Sequence, residues 1–480
     1  MNTVTHQVPS VLRREERTGL AYLLLYSPAA LAWIFVSSPL LSFGIAWAGS
    51  LVIFWASTTG KIRSLPSDRP WSRQLFRPIF LLQLMFMAYF FSGSIFHVWN
   101  VLSSPSIYGP AEELARTAAA QRYYVLGHGA FAHGLLWTMD YRRSGEWELQ
   151  YDMNSSSLLL GAAIALGSAL FISQIPGMGQ FVGKLEKIAA VALIIGLADA
   201  IRKGNRSLLL LGAGIYSYLL LQTFLSGWKH LTIFVTGLLL VALYPYYKRT
   251  VVVTGLALGL LFVTVLPAYN SAFRNLNWRG EVSAQEAAQT AIKRVQEGEI
   301  DVGEVSWRFL TNRLTTVNLF ANYIEHVPRD RPYYGFEIVE QGIYAIVPGV
   351  LWPNKPNSEE LAMQRAYESD AVQPYSGVSA KPKFIVDAYL SGGALGILFG
   401  FWVIGWAAGM TSSYVERWLG GYEIGGRVFY TALFTGAWLT PSFEFLFNTI
   451  FWSGVLAVMI TVGLYLSGVL HRRSRQAQRA

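Results

Sequence analysis

Cationic side chains gather between residues 270 and 385, a stretch without a long apolar run. They include Arg274, Arg279, Arg308, Arg313, Arg329, Arg331, Lys355, Lys381 and Lys383. Arginine binds phosphate through a two-pronged fork, and lysine binds it as a point charge. The aromatic residues among them are Trp278, Tyr333, Tyr334, Trp352 and Tyr375. Because aromatic rings stack on sugar rings, the combination indicates a ligand that carries both phosphate and sugar.

Other kinds of chemistry lack the residues that they need. The chain has no cysteine, which excludes disulfides, thiolate metal sites and a cysteine nucleophile. It has no GxxxxGK[ST] phosphate loop and no HExxH zinc motif. His128 and His133 are five residues apart and do not share a helix face, so we interpret them as packing histidines. The sequence argues against nucleotide hydrolysis and zinc chemistry, and we expect neither a metal nor another cofactor.

The composition is that of a membrane protein. Hydrophobic residues make up 53% of the 480 residues, charged residues make up 14%, and the mean hydropathy is +0.35. Soluble domains average roughly 25% charged residues. The formal net charge of +9 fits Lys and Arg that orient membrane helices, so nucleic acid is not an expected partner. The first apolar run continues to Trp55 without a cleavage site, and we interpret it as two retained helices.

Repeated apolar runs approach the ~20 residues that cross a bilayer as a helix. We therefore predict an all-α polytopic membrane protein with about 12 transmembrane helices and one large, partly helical periplasmic loop. The predicted spans are 18–36, 38–57, 77–98, 118–139, 156–173, 183–202, 206–225, 229–247, 250–269, 386–410, 425–440 and 445–469.

Short basic connections predict the orientation of these spans. The basic segments are 60–77, 140–148, 201–206, 246–249 and the tail 471–479. Short loops rich in Lys and Arg face the cytoplasm. We therefore expect a multi-pass membrane protein with both termini in the cytoplasm and residues 270–385 outside, which is the periplasmic face if the cell is Gram-negative. This gives three regions: a transmembrane bundle (1–269), a large periplasmic loop (270–385), and C-terminal transmembrane helices with a basic cytoplasmic tail (386–480).

The loop carries signals for three amphipathic helices. The sequence "SAQE", Ser283 to Glu286, is a capping box that opens a helix to Val295. Ser306 can cap a second helix that continues to Pro328. A third helix, 335–347, has four side chains on one face. They are Glu337, Glu340, Gln341 and Tyr344.

Five short elements, in this order, give the chain a resemblance to a known family. They are "LSGWKH" (225–230), "RFLTNR" (308–313), "YYGFE" (333–337), "VPGVLWPNKP" (347–356) and "VDAYLSGGALG" (386–396). Together they resemble the Wzy-type polymerases of bacterial surface polysaccharides, the O-antigen polymerase group. The resemblance covers about Leu225 to Gly400. Lys229 stands where the family usually has Arg, and Gly349 stands where an Arg often follows the proline.

The resemblance implies an enzyme that polymerises undecaprenyl-diphosphate-linked oligosaccharide repeat units. The growing glycan passes from its lipid diphosphate to a sugar hydroxyl of an acceptor, at the outer face of the inner membrane. The expected partners are the lipid-linked donor and acceptor, membrane lipid and a chain-length regulator protein. On this basis the cations that stabilise the leaving diphosphate are Arg279, Arg308, Arg313 and Lys229.

An alcohol nucleophile also needs a general base. Asp387 is the leading candidate because it enters the membrane edge next to the loop, and Glu337 and Glu340 are the reserves. We also consider a structural role for Asp387, as the partner of Lys381 or Lys383. The resemblance places further substrate contacts at Tyr334, Trp352, Lys355 and Lys381. In this interpretation "VPGVLWPNKP" is a rigid segment that holds Trp352 and Lys355 at the mouth of a membrane cavity. Its prolines reduce the conformational entropy that is lost when the segment becomes ordered.

Two other functions stay open. An O-antigen ligase shares the layout, and His326 in the loop is compatible with it. A flippase or transporter of lipid-linked oligosaccharide would need charged residues in mid-membrane and often repeated halves. Neither feature is visible in the sequence.

Overall fold

Helices dominate the protein. The computed structural model describes residues 18–473 except 104–108, 142–144, 152, 226–228, 278–281, 313, 315, 349–350, 375–380 and 440. The chain is 76% helical, so the predicted helical class is confirmed. Six helical stretches in the described chain are long and apolar enough to cross a membrane: Pro39–Thr58, Pro78–Ser103, Ser155–Ile172, Lys248–Asn277, Phe384–Trp418 and Phe443–Leu466.

Prolines begin several N-terminal helices, as expected where the missing N–H would have no helical partner. The helices are α1 (Thr18–Leu23), α2 (Ser27–Ile34), α3 (Pro39–Thr58), α4 (Pro78–Phe86), α5 (Ser94–Ser103) and α6 (Pro110–Trp137). A π-helical turn, Met87–Phe91, joins α4 to α5. The predicted span 18–36 is wrong as a single helix, because a turn separates α1 from α2 ahead of Pro28.

The next helices follow the predicted spans closely. They are α7 (Ser155–Ile172), α8 (Gly179–Lys203), α9 (Arg206–Leu225), α10 (Lys229–Leu243) and α11 (Lys248–Asn277). His128 is a buried packing residue, as the sequence indicated, and it lies 2.6 Å from Gln83 and stacks on Phe86. Near the end of α8, Asp199 binds Arg202 at 2.6 Å.

In the described part of the chain between α11 and residue 381, five helices form. They are α12 (Ala284–Gln296), α13 (Val302–Asn312), α14 (Val317–His326), α15 (Glu337–Ile346) and α16 (Ser358–Glu368). Ser283 accepts the Glu286 N–H, which confirms the predicted cap. The predicted cap at Ser306 is wrong. Asp301 takes that position by accepting the Glu304 N–H at 2.9 Å, and Ser306 is buried within α13.

The C-terminal part contains α17 (Phe384–Trp418), α18 (Thr431–Leu433) and α19 (Phe443–Leu466). The predicted span 425–440 is wrong as a regular helix. A π-helix (Tyr422–Tyr430), α18 and a 3₁₀ turn (Thr435–Ala437) occupy it. Two short strands, β1 (Trp147–Leu149) and β2 (Leu470–Arg472), pair antiparallel.

The closest helix packing in the core joins α6 to α17 through glycines. A Cβ at Gly134 would lie 2.2 Å from the Trp402 carbonyl oxygen, and one at Gly405 would lie 2.2 Å from that of Phe131. Only a residue without a side chain allows two helix backbones to approach this closely, as is common between membrane helices. Several other helices pack around this pair, and α6 is therefore the centre of the bundle.

A break divides α17 into two arms. Gly393 has a φ of 60°, a left-handed conformation that glycine adopts without strain. The first arm turns back on the second, since a Cβ at Gly396 would lie 2.0 Å from the Ala388 carbonyl oxygen. The rings of Phe384 and Phe401 are 5.1 Å apart across the two arms. The helix therefore begins as a hairpin, and its break holds Asp387 beside the main arm.

The opposite end of α17 is secured by a buried ion pair. Arg77 binds Glu416 at 3.0 Å and Asp68 at 2.7 Å, and neither Arg77 nor Glu416 has an exposed side chain. The guanidinium lies 3.9 Å from the Tyr141 ring centre. These contacts connect α17 to the segment before α4.

The close approach at Gly405 predicts a sharp sensitivity to a single methyl group. Gly405→Ala should lower the free energy of unfolding by roughly 1–3 kcal/mol, because the helices must separate to admit the new Cβ. The measurement is the thermal unfolding midpoint of the purified protein in detergent. Gly454→Ala is the matched control, since a Cβ there meets nothing within 4 Å. Equal midpoints for the two variants would contradict the packing described here.

Candidate functional site

One buried arginine lies where four helices meet. Arg365 belongs to α16, which Asn357 begins by accepting the Glu359 N–H at 2.9 Å. The inner face of α16 is buried, and Arg365 is only 1% exposed. Its guanidinium reaches α15, α17 and α19. A buried charge of this kind requires partners, because desolvation is otherwise too costly.

Two buried carboxylates bind the guanidinium through both of their oxygens. Asp387, in the first arm of α17, lies 3.1 Å from Nε and 3.2 Å from Nη2. Glu444, in the first turn of α19, lies 2.5 Å from Nη1 and 3.0 Å from Nη2. Both carboxylates are 0% exposed. We call Arg365, Asp387 and Glu444 the Arg365 centre, and it uses the fork geometry that distinguishes Arg from Lys.

Asp387 also caps the N-terminus of α19. The Phe443 N–H donates to Asp387 Oδ2 at 2.9 Å, while Ser442 at the cap position makes no side-chain bond of its own. The first N–H groups of a helix have no partner within the helix and favour an anion. A carboxylate from another helix supplies both, so Asp387 fastens α17 to α19.

The two carboxylates of the Arg365 centre keep the arginine protonated. Burial disfavours the charged guanidinium, but the nearby carboxylates of Asp387 and Glu444 outweigh burial and raise the pKa of Arg365 above its ordinary value. Arg365 therefore stays charged. The same carboxylates are held in fixed positions, with no solvent contact through which a substrate could reach them.

A hydrogen-bond chain leads from the centre to the surface. Arg365 Nη1 donates to Gln341 Oε1 at 2.8 Å, and Gln341 Nε2 donates to Glu337 Oε1 at 3.2 Å. Glu337 and Glu340 are exposed on α15, and Tyr344 donates to Glu340. The Tyr344 ring lies 5.7 Å from the ring of Trp352, which is 37% exposed. We call Glu337, Glu340, Gln341 and Tyr344 the α15 face, as the spacing predicted.

Donors from the proline-rich segment and from α19 form hydrogen bonds to the last carbonyls of α15. Lys355 Nζ donates to the Val347 carbonyl at 2.7 Å, and Asn448 and Trp452 donate to the carbonyls of Ala345 and Ile346. The last carbonyls of a helix need such donors, and a cation there also complements the helix dipole. Lys355 therefore has a structural contact within the segment, while Trp352 remains open to a ligand.

The other predicted site residues lie apart from the centre. Arg308 pairs with Glu304 on the surface of α13, and its side chain is 67% exposed. Lys381 binds Glu359 at 2.9 Å. Tyr334 is buried and donates to Glu368 at 2.8 Å. Arg279, Arg313 and the side chain of Lys229 lie outside the described residues.

The sequence identified Asp387, but the alternative in which it pairs with Lys381 or Lys383 is wrong. Lys381 binds Glu359, and Lys383 lies over the rings of Tyr89 and Phe90 at 4.9 and 5.7 Å. Arg365 and Glu444 were missed altogether. The only signal for them was indirect: an arginine at a buried position of an amphipathic helix and a glutamate opening an apolar run.

The comparisons with known proteins identify a family. A family model described as a domain of unknown function, DUF8712, matches residues 27–472. The chain belongs to the DUF8712 family. No curated protein and no solved structure matches the chain. The family description names no activity, so the function of this DUF8712 protein has to be argued from the α15 face and the Arg365 centre.

The Arg365 centre predicts a characteristic pattern of stability. Arg365→Met should destabilise the protein by about 3–5 kcal/mol, because two buried carboxylates lose their cation. Replacing all three residues, as Arg365→Met with Asp387→Leu and Glu444→Leu, should recover most of that loss. The measurement is the thermal midpoint in detergent. Arg329→Met removes an arginine from an exposed pair with Asp330 and should leave the midpoint unchanged. A triple variant no more stable than Arg365→Met would contradict this account.

Proposed function

We propose that this protein is a membrane glycosyltransferase that polymerises undecaprenyl-diphosphate-linked oligosaccharide repeat units. The observation that carries the proposal is the α15 face. It presents two exposed carboxylates beside the aromatic rings of Tyr344 and Trp352, and a buried charge centre fixes it from behind. Carboxylates and aromatic rings together are suited to sugar hydroxyls. The resemblance over Leu225 to Gly400 supports the same class of reaction.

The proposed step is a substitution at an anomeric carbon. A hydroxyl oxygen of the acceptor sugar forms a bond to the anomeric carbon of the donor, while the bond from that carbon to the diphosphate oxygen breaks. The diphosphate leaves with the bonding electrons. The hydroxyl proton passes to a carboxylate of the α15 face, for which Glu337 is our first choice. Glu337 is exposed and accepts a bond from Gln341, which connects it to Arg365, whereas Glu340 accepts its bond from Tyr344.

Asp387 then acts as a positioning residue and not as the base. Its Oδ1 faces Arg365, and its Oδ2 accepts from both Arg365 and the Phe443 N–H. A general base must come within hydrogen-bond reach of the proton that it removes. A fully buried carboxylate with these contacts does not meet that condition, and the exposed glutamates do.

Cations must still stabilise the leaving diphosphate. Among the described residues Arg308 pairs only with Glu304, and both side chains are more than 60% exposed. Exposed ion pairs contribute little free energy. A diphosphate, with more charge and a geometry that fits the guanidinium fork, can displace Glu304. Arg279, Arg313 and Lys229 stay candidates for the same role.

The proposed setting is the bacterial inner membrane with about 12 spans, both termini in the cytoplasm and the loop in the periplasm. The short basic connections support this orientation. Donor and acceptor glycans arrive on undecaprenyl diphosphate, within a surrounding of membrane lipid. A chain-length regulator protein is a further proposed partner.

Product length tests the function directly. The purified chain in vesicles receives a synthetic undecaprenyl-diphosphate-linked oligosaccharide, and the products are separated by gel and mass spectrometry. A polymerase gives a ladder of products, spaced by one repeat unit. A flippase moves the substrate without lengthening it. Unlengthened substrate, with a well-folded protein, would reject the proposal.

An O-antigen ligase is the second candidate, favoured by one observation. His326 Nδ1 lies 2.7 Å from Asp330 Oδ2, and burial leaves a quarter of the His326 side chain exposed. A carboxylate that orients a histidine is a common arrangement for a general base. A ligase would transfer the glycan once to a lipid A-core acceptor and make no ladder. His326→Asn would then lower transfer, while a polymerase that uses Glu337 would be unaffected.

The base assignment makes a quantitative prediction. Glu337→Gln keeps the shape of the side chain but cannot accept a proton, so turnover should fall by ~10²–10⁴-fold while donor affinity changes little. The assay is the single-turnover rate and donor affinity of one purified variant. Glu360→Gln, an exposed glutamate on α16, is the matched control and should keep its activity. Unchanged turnover in Glu337→Gln would move the role to Glu340.

The proposed orientation has a separate test. Reporter fusions at Arg143, Arg249 and Arg472 should give a cytoplasmic signal, and fusions at Gln296 and Glu360 should give an external one. The reason is the position of the short basic connections relative to the intervening spans. A cytoplasmic signal at Gln296 would refute the proposed sidedness of the loop.

A further inference from the structure

Two apolar cavities flank α10, far from the α15 face. The larger, of ≈ 880 Å³, lies between α9, α10 and α11 and also touches Ile201 of α8. The smaller, of ≈ 670 Å³, lies between α3, α4, α10 and α11, with Trp71 and Tyr244 at its edge. Leu240 and Val251 line both. We call them the paired cavities. Apolar space of this size is unfavourable to water and favours an apolar occupant.

The volume corresponds to two hydrocarbon chains. At about 30 Å³ for a group the size of a water molecule, the smaller cavity holds roughly twenty methylene-sized groups and the larger holds more. That is the size of one acyl chain in each cavity. Because the two cavities adjoin at Leu240 and Val251, a lipid with two chains could occupy both at once.

Three cations stand at the same end of the paired cavities. Arg73 lies beside Leu75, which lines the smaller cavity, and its guanidinium is 6.0 Å from the Tyr246 ring centre. Lys248 and Arg249 occupy the first turn of α11, between Tyr247 and Thr250, which line the larger cavity. We call Arg73, Lys248 and Arg249 the basic rim. Within the described chain, none of the three has a carboxylate at ion-pair distance.

The carboxylates near the basic rim already have partners. Glu423 binds Arg69 at 2.9 Å and Arg427 at 2.7 Å. Asp199 binds Arg202 at 2.6 Å and Lys203 at 2.9 Å. The rim therefore keeps its positive charge for a ligand. Tyr246 and Tyr247, each 39% exposed, supply the amphipathic rings that favour the headgroup level of a membrane.

We propose that the paired cavities and the basic rim form a binding site for one anionic diacyl phospholipid. Its acyl chains fill the two cavities on either side of α10, and its phosphate rests on Arg73, Lys248 and Arg249. The inner half of α11 packs loosely against the bundle, and such a lipid supplies the missing contacts there. The site is independent of the proposed glycan chemistry, since it shares no residue with the α15 face or the Arg365 centre.

Lipid selectivity tests the proposal. Native mass spectrometry of the full chain in detergent measures binding of phosphatidylglycerol and of phosphatidylcholine with the same acyl chains. The wild-type protein should bind phosphatidylglycerol roughly tenfold more tightly, because each basic residue near a membrane surface attracts an anionic lipid. Equal binding of the two lipids would overturn the proposal, as would the absence of any retained lipid.

Matched variants locate the headgroup. Arg73→Gln with Lys248→Gln should remove the preference for phosphatidylglycerol. The control, Lys293→Gln with Arg294→Gln on the exposed side of α12, makes the same change in net charge and should keep the preference. A preference that survives in the first pair, or that falls equally in both pairs, would show that the rim does not hold the phosphate.

A third variant tests the acyl chains. Leu240→Trp fills space in both cavities and should weaken the two phospholipids alike. Competition with inorganic phosphate should have little effect, since phosphate has no chains. Full lipid binding by Leu240→Trp, or displacement of phosphatidylglycerol by millimolar phosphate, would remove the cavities from the site and overturn the proposal.

Discussion

The hydrogen bonds of the Arg365 guanidinium are the contacts on which the arrangement of α15, α16, α17 and α19 depends. A buried guanidinium has five N–H donors in a fixed plane, and each must find an acceptor or cost free energy. Here the acceptors come from α15, α17 and α19, so satisfying one side chain fixes three helices relative to α16. Arg77 does the same at the other end of α17 with Asp68 and Glu416. Buried arginines therefore join neighbouring segments at both ends of α17, and apolar side chains pack between these two sites.

Helix ends impose the second constraint, because unpaired backbone groups are especially costly away from water. The N-terminus of α19 receives Asp387 from another helix, and the C-terminus of α15 receives Lys355, Asn448 and Trp452. The stretch "VPGVLWPNKP" thus has a physical reason for its lysine. The prolines restrict the backbone around Lys355, and the lysine binds a carbonyl at the C-terminus of α15. This contact fixes the C-terminal end of the α15 face.

Features that depend only on neighbouring residues, such as helix caps and helix faces, could be predicted from the sequence. The capping box at Ser283 and the α15 face follow from neighbours within four residues, and both were predicted correctly. Ser306 is not the cap because Asp301, an equally good capping residue five positions earlier, accepts the Glu304 N–H. The Arg365 centre could not be predicted this way. Its carboxylates lie 22 and 79 residues along the chain, and only the hairpin at Gly393 and the packing of α15 on α19 bring them together.

At the candidate site, the geometry gives different roles to the buried Asp387 and the exposed Glu337 in the proposed mechanism. A carboxylate that caps a helix and binds a buried arginine must keep its position, whereas a general base must be within reach of the proton that it removes. Asp387 meets the first requirement, and that excludes it from the second. Glu337 is two hydrogen bonds away from Arg365 and open to solvent, so a substrate can reach it while the centre behind it stays fixed. In the proposed mechanism the Arg365 centre is therefore the support that keeps Glu337 in position beside its neighbours on α15.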